Sequence, residues 1–194
     1  MSQIEALIDR LKHHVCAKNA GKRFCSAVDG HSAAGKSTIS RALVGAWPHA
    51  ALVQTDDFYR VMSAEARFAL SPEEGYGQYY DWQRLLHEVL EPLKQGRLAE
   101  FQIYDWDSNE LGAWRRIPAS QLIIVDGCYS ARPEFDALLD FVVLVEADAA
   151  LRRKRQAERA DASRAWLLRW DAAEQYYIEA TRLRQRADVI VTGR

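Results

Sequence analysis

The sequence predicts an α/β fold, a parallel sheet with helices on both faces. Short apolar, β-rich runs recur at Phe24 to Val28, Ala51 to Thr55, Leu122 to Val125, Phe141 to Val145 and Val189 to Val191, separated by helical stretches. The central runs are continuously apolar, as strands buried on both faces are. A glycine-containing turn, Gly30-His31-Ser32-Ala33-Ala34-Gly35-Lys36-Ser37, joins the first run to a helix.

The elements follow in order. Ser2-Gln3-Ile4-Glu5 reads as a capping box. It opens a helix with apolar residues at Ile4, Leu7, Ile8, Leu11 and Val15 that ends near Gly21. A second helix runs from Lys36 to Trp47 and stops before Pro48. Asp81 to Lys94 is amphipathic through Leu85, Leu86, Val89 and Leu90, with Pro92 in its last turn or at a kink. Asp148 to Arg184 is helical and basic. Two segments interrupt the alternation. Residues 57–80 are rich in aromatics and turn formers, and residues 100–116 interleave apolar and polar positions around Trp106 and Trp114, as a hairpin does. Ligand loops of open α/β sheets lie beyond the carboxyl ends of the strands, where both segments can fall.

At 194 residues the chain fits one domain, 1–194. Its 26 Lys and Arg against 27 Asp and Glu leave a net charge of −1, so no overall basic face invites nucleic acid. The first residues lack the basic and apolar regions of a signal peptide, and no apolar run reaches transmembrane length, so no membrane partner is expected. Cys16, Cys25 and Cys128 are odd in number and widely spaced. They read as reduced thiols of a cytoplasmic protein. Oligomeric state is not readable from the chain.

The turn from Gly30 to Ser37 matches G-x-x-x-x-G-K-[ST] in full, between a strand and a helix, and predicts a P-loop NTPase fold. Glycines let the backbone curl around phosphate oxygens, and the following helix N-terminus offers unpaired amides and partial positive charge. ATP binding is therefore assigned to Gly30, His31, Ser32, Ala33, Ala34, Gly35, Lys36, Ser37 and Thr38. Lys36 reaches the β- and γ-phosphates, and the Ser37 hydroxyl ligates Mg²⁺. The loop alone does not separate a kinase from an ATPase or GTPase.

Asp56 and Asp57 follow the second apolar run, beside the loop. Acids there suit deprotonation of an acceptor hydroxyl or support of Mg²⁺; an Asx turn is the plainer reading. Asp126, after Leu122 to Val125, occupies a Walker-B-type position for Mg²⁺; an Asp-Gly turn is its alternative. Arg152, Arg155 and Arg159 share one helical face. Their mutual repulsion would be relieved by an anion, although a solvated helix paired with Glu146, Glu158 and Asp161 competes. Trp166, Trp170 and Glu174, with Tyr177 nearby, read as core and helix-face packing.

Together these motifs resemble the uridine kinase family and its nicotinamide riboside kinase relatives. The resemblance rests on Ala27-Val28-Asp29-Gly30 through Thr38, Asp56-Asp57-Phe58-Tyr59, Tyr104-Asp105, Ile123 to Gly127, the arginines from Arg152 to Arg159, and Ala187-Asp188-Val189-Ile190. It implies that Asp56 is the general base, and that Asp56, Phe58, Tyr59, Tyr104, Asp105 and Asn109 line the acceptor site. It also implies an arginine lid over about 148–162, with Arg155 and Arg159 acting on the transferring phosphoryl group and Arg152 on ATP. Mg²⁺ would be held by Ser37, Asp126 and Asp56. Three positions depart from the family pattern. Gln102 stands where a proline is usual, Asn109 where a histidine often follows Tyr-Asp, and Gly75 where an acid is found. The expectation is an ATP- and Mg²⁺-dependent kinase of a nucleoside or nucleoside-like hydroxyl compound, weak on uridine. A kinase of another alcohol or sugar and a regulatory NTPase remain as alternatives.

Overall fold

The structure, a computed structural model, describes residues 2–17, 22–159 and 163–193, with the Arg159 side chain outside that description. Gly21, Asp161 and the end of the expected lid range at 160–162 therefore lie outside the described residues.

Helix α1 (Gln3–Ala17) leads into β1 (Phe24–Asp29), α2 (Lys36–Gly45) and β2 (Ala51–Gln54). Ser2 and Glu5 form both bonds of the expected capping box, 2.7 and 3.2 Å. Residues 57–80 carry the short helices α3 (Ala64–Ala69) and α4 (Pro72–Gln78). The amphipathic stretch is α5 (Trp82–Arg84), a π-helical middle (Leu85–Leu90) and α6 (Glu91–Lys94), so Pro92 lies in its last turn. The second interruption is a hairpin, β3 (Ala99–Asp105) paired antiparallel with β4 (Glu110–Ile117). After it come β5 (Leu122–Asp126), β6 (Phe141–Glu146), α7 (Ala149–Arg159), α8 (Arg164–Ala180), α9 (Leu183–Arg186) and β7 (Val189–Thr192).

The main sheet has the order β2-β5-β1-β6-β7, all parallel. Alternate residues of β1 serve opposite faces. Phe24 and Val28 pack with Leu7, Leu11, Ile39 and Leu43 of α1 and α2. On the other face, Cys25 joins Val53, Leu90 and Phe101, and Ala27 joins Trp170, Ala173 and Tyr177. Helices thus cover both faces, as the unbroken apolar strands require. Register then aligns the strand ends. Asp126 pairs with Val28 on one side and Gln54 on the other, which brings Asp29, Asp56 and Asp126 to one rim.

Asp29 anchors that rim from inside. It is 1% exposed, yet its carboxylate accepts from the Gly30 amide at 2.6 Å, the Ala131 amide at 2.7 Å and the Tyr177 hydroxyl at 2.7 Å. Burial pushes its carboxyl above the usual range, and those donors and Lys36 oppose the rise. Tyr177→Phe deletes one donor and leaves a buried carboxylate short of a partner. We expect a loss of about 1–3 kcal/mol in denaturant unfolding, with a melting temperature lower by several degrees. An unchanged unfolding midpoint would show that the bond contributes nothing.

Candidate active site

The phosphate loop curls where the sheet is tightest. Gly30 has φ of 138°, and a Cβ built on it would lie 2.1 Å from the Val145 carbonyl oxygen. Gly35, at φ 104°, caps α2 in the left-handed region. From the far end of the chain, Gly193 packs so closely that a Cβ there would meet the Ala34 oxygen at 1.6 Å.

Lys36 is 8% exposed and donates to the Gly30 oxygen at 2.8 Å, the His31 oxygen at 2.9 Å and Cys128 Sγ at 3.2 Å. Burial lowers its affinity for the proton, but Cys128, Glu174 and Asp29 outweigh that effect and hold the ammonium charged. Ser37 and Thr38, at the start of α2, are exposed.

Helix α8 holds the loop from behind. Glu174, 1% exposed, accepts from the Ser32 amide at 2.9 Å, from the Ser32 hydroxyl, and from Cys128 Sγ at 3.0 Å. Trp170, one helical turn earlier, donates its indole N–H to Ser32 Oγ at 2.8 Å. These two residues, expected mainly to serve core and helix-face packing, are hydrogen-bond partners of the phosphate loop. Their shared side of the helix is legible from the sequence; their target is not.

Asp126 lies 4% exposed at the rim, and its Oδ1 is buried with no hydrogen-bond partner among the described residues. Burial raises its pKa, and Lys36 with the nearby Ser40 and Ser37 hydroxyls opposes the rise. A free carboxylate oxygen beside serine hydroxyls is a hard oxygen donor set that fits Mg²⁺. Asp56, exposed at the same rim, accepts from the Tyr80 hydroxyl at 2.8 Å. Its neighbour Asp57 turns away into an ion pair with Arg115 at 2.6 Å.

The arginines expected to form a lid diverge. Arg155 donates to the Ala33 oxygen of the loop at 2.9 Å. Arg152, 7% exposed, pairs with Asp171 of α8 at 2.7 Å. The Arg159 side chain lies outside the described residues.

On the acceptor side the residues are aromatic. Tyr59 stacks on Trp106 (4.6 Å, 26°) and meets Tyr80 and Tyr104 edge-on at 5.5 and 5.2 Å. Phe58 is fully buried, stacked on Phe101 at 4.9 Å under the hairpin. Asp105 Oδ1 accepts from the Asp107 and Ser108 amides at 2.9 and 3.3 Å, closing the hairpin turn. Asn109, at φ 54°, spends its amide internally: Oδ1 accepts from Tyr104 Oη at 2.7 Å and Arg67 at 3.1 Å, and Nδ2 donates to the Met62 oxygen at 3.1 Å. Arg67 was not singled out by the sequence, because nothing in α3 announces a contact across to residue 109.

A strand-end triad of acids, a phosphate loop and an aromatic wall now stand together. The phosphoribulokinase/uridine kinase family model matches residues 26–178. The chain belongs to that family. Uridine-cytidine kinase-like 1 of Mus musculus is 27% identical over 143 residues, covering 70% of this chain and 26% of that protein. A pantothenate kinase of Bradyrhizobium is 30% identical over 159 residues, 70% of this chain and 49% of that one. The chain thus spans about a quarter and about half of these two relatives. A structure of a possible uridine kinase from Bacillus stearothermophilus superposes with a TM-score of 0.73 at 23% identity, over 97% of this chain and 99% of that one, so the fold is shared. No described helix is long and apolar enough to cross a membrane.

Gly30→Ala tests the loop geometry. The methyl has no room against Val145, and its φ disfavours any side chain. We expect a protein destabilised by about 2 kcal/mol or more, read by denaturant unfolding, with nucleotide affinity reduced in titrations of the folded fraction. Wild-type stability and affinity would contradict the close approach.

Proposed function

We propose that this chain transfers the γ-phosphoryl group of MgATP to a hydroxyl of a nucleoside-like or comparably sized alcohol. The observation that carries the reading is Asp56. It is an exposed carboxylate at the end of β2, level with Asp126 and the phosphate loop, and Tyr80 orients it. A nucleotide switch has no use for an acceptor base in that position.

Lys36 and the loop amides, from Gly30 to Thr38, hold the β- and γ-phosphates. Ser37 and Asp126, with Asp56 at the edge of the shell, hold Mg²⁺, which supplies charge neutralisation at those oxygens when bound. Asp56 accepts the proton of the acceptor hydroxyl. Arg155, already at Ala33, together with Arg159, offsets charge developing on the transferred group, and Arg152 braces the lid on α8. Tyr59, Tyr104 and Trp106 form a wall for the acceptor, with Phe58 supporting them from the core and Asp105 fixing the turn. Asn109 is committed to Tyr104, Arg67 and Met62, which leaves little of its amide to read a pyrimidine edge. The chemistry suits a reducing cytoplasm, in keeping with three free cysteines.

Steady-state ATP consumption, with and without acceptors, tests the reading. Lys36→Ala should abolish stimulated turnover in the folded protein. Asp56→Asn should lower kcat by about 10²–10⁴-fold, with ATP binding little changed, whereas Asp57→Asn should act weakly. Arg155→Ala should reduce transfer far more than Arg153→Ala, because Arg153 is exposed and off the loop-facing side. Uridine should give a kcat/KM below about 10⁴ M⁻¹s⁻¹, the low end for dedicated enzymes. Turnover indifferent to every acceptor and raised by a protein partner would favour a regulatory NTPase instead.

A further inference from the structure

The polar groups on the acceptor side are mostly spent within the protein, with one cationic exception. Arg67 of α3 lies over the Tyr59 ring, its Cζ 4.5 Å from the centroid. Its Nη2 donates to the Arg60 oxygen at 2.9 Å and to Asn109 Oδ1 at 3.1 Å. Arg169 of α8 lies over Phe68, one residue along α3, at 4.1 Å, and donates to the Leu70 oxygen at 3.2 Å. All of these partners are neutral. Nearby arginines are different: Arg84 pairs with Glu88, Arg115 with Asp57, Arg132 with Glu134 and Arg152 with Asp171. Among the described residues, neither Arg67 nor Arg169 has a carboxylate partner. A guanidinium carries five donors, so each retains several.

Arg67 lies on the aromatic wall that leads to the base, and Arg169 sits on Phe68, the next residue of the same helix. The Tyr79 hydroxyl feels both guanidiniums, and the Tyr59 hydroxyl feels Arg67 and Asp56 alike. Tyr59 packs on Tyr80, whose hydroxyl is bonded to Asp56. The aromatic surface therefore has a carboxylate at one end and Arg67 at the other, with Arg169 beyond it on Phe68. The planar fork of a guanidinium matches oxyanions in geometry.

We propose that the acceptor is an acidic alcohol, with its hydroxyl at Asp56 and a carboxylate or phosphate group held by Arg67 with Arg169. This rests on the kinase reading above and narrows its substrate class. An alcohol lacking the acid leaves the guanidiniums without a counter-ion, so it binds less well.

The test measures acceptor-stimulated ATP consumption by the full chain with three matched pairs: glycerate and glycerol, pantothenate and pantothenol, uridine 3′-monophosphate and uridine. In at least one pair the acid should exceed its neutral partner in kcat/KM by about tenfold or more, the factor expected of a charge-assisted bond. The first two pairs report a carboxylate and the third a phosphate. Arg67→Met should collapse the acid-to-neutral ratio toward one, chiefly through acceptor KM, and Arg67→Lys should restore part of it. Arg169→Met provides a second variant should the first fail to fold. A structural strut alone would lower both members of a pair together. Equal rates within every pair, stimulation confined to neutral members, or an Arg67→Met loss shared equally by acid and neutral compounds overturns the acid assignment while leaving the kinase reading in place. If no member of any pair stimulates turnover, and Asp56→Asn matches wild type, the kinase reading falls and this inference falls with it.

Discussion

The phosphate loop depends on two buried carboxylates that hold it from behind. A loop built to bind phosphate turns its amides toward one point and gathers a partial positive charge there. Such a backbone needs support on its other side. Asp29 takes the Gly30 amide at the loop's entry, and Glu174 takes the amide and hydroxyl of Ser32 further along. Burying a carboxylate is costly unless donors surround it. Here Tyr177 and Ala131 serve Asp29, and Cys128 serves Glu174. Cys128, together with these two acids, keeps Lys36 protonated in a site that water barely reaches. Rigidity and charge at the loop have a common origin.

This arrangement makes α8 part of the candidate site, although it lies more than a hundred residues beyond the loop. Three successive turns of the helix bring Trp170, Glu174 and Tyr177 to Ser32 and Asp29. Its middle also receives α7, through Arg152 on Asp171. Arg155 reaches the loop directly at Ala33. Helix α7 and the loop thus share a support, and α7 is tied to the loop by two routes that do not pass through the sheet.

The fold was legible because each strand and helix carries its own period, and the loop because its glycines and lysine are local. Asp56 and Asp126 were legible because strand ends announce themselves with a change from apolar to acidic residues. Glu174 was not, because a buried glutamate on a helix face looks like any other until its partner, Ser32, is brought across 142 positions. Asn109 illustrates the converse. Its place after Tyr104-Asp105 pointed to a substrate contact, whereas the hairpin's left-handed turn at Asn109 and the arrival of Arg67 from α3 direct its amide inward. Phe58 likewise follows the acids in sequence but packs in the core, because Thr55–Phe58 form a 3-10 turn, in which three successive residues point to three different sides.

Each of the three departures from the family pattern has its own partners within the structure. Gln102 stands where a proline is usual, and it bridges the hairpin through its side chain to the Gly112 oxygen at 3.0 Å while its own carbonyl accepts from Arg84 at 2.8 Å. Asn109 joins the hairpin to α3 through Arg67 and Met62. Gly75 has no side chain because the Tyr79 ring occupies that space: a Cβ there would lie 2.5 Å from it. Tyr79 in turn stacks on Trp170 (4.9 Å, 25°), which is bonded to Ser32 of the phosphate loop. An acid at position 75 would displace the ring that presses the wall against α8. A side chain at position 75 and the Tyr79–Trp170 stack therefore compete for one space, so the glycine lets the ring join this face to α8 and, through Ser32, to the phosphate loop.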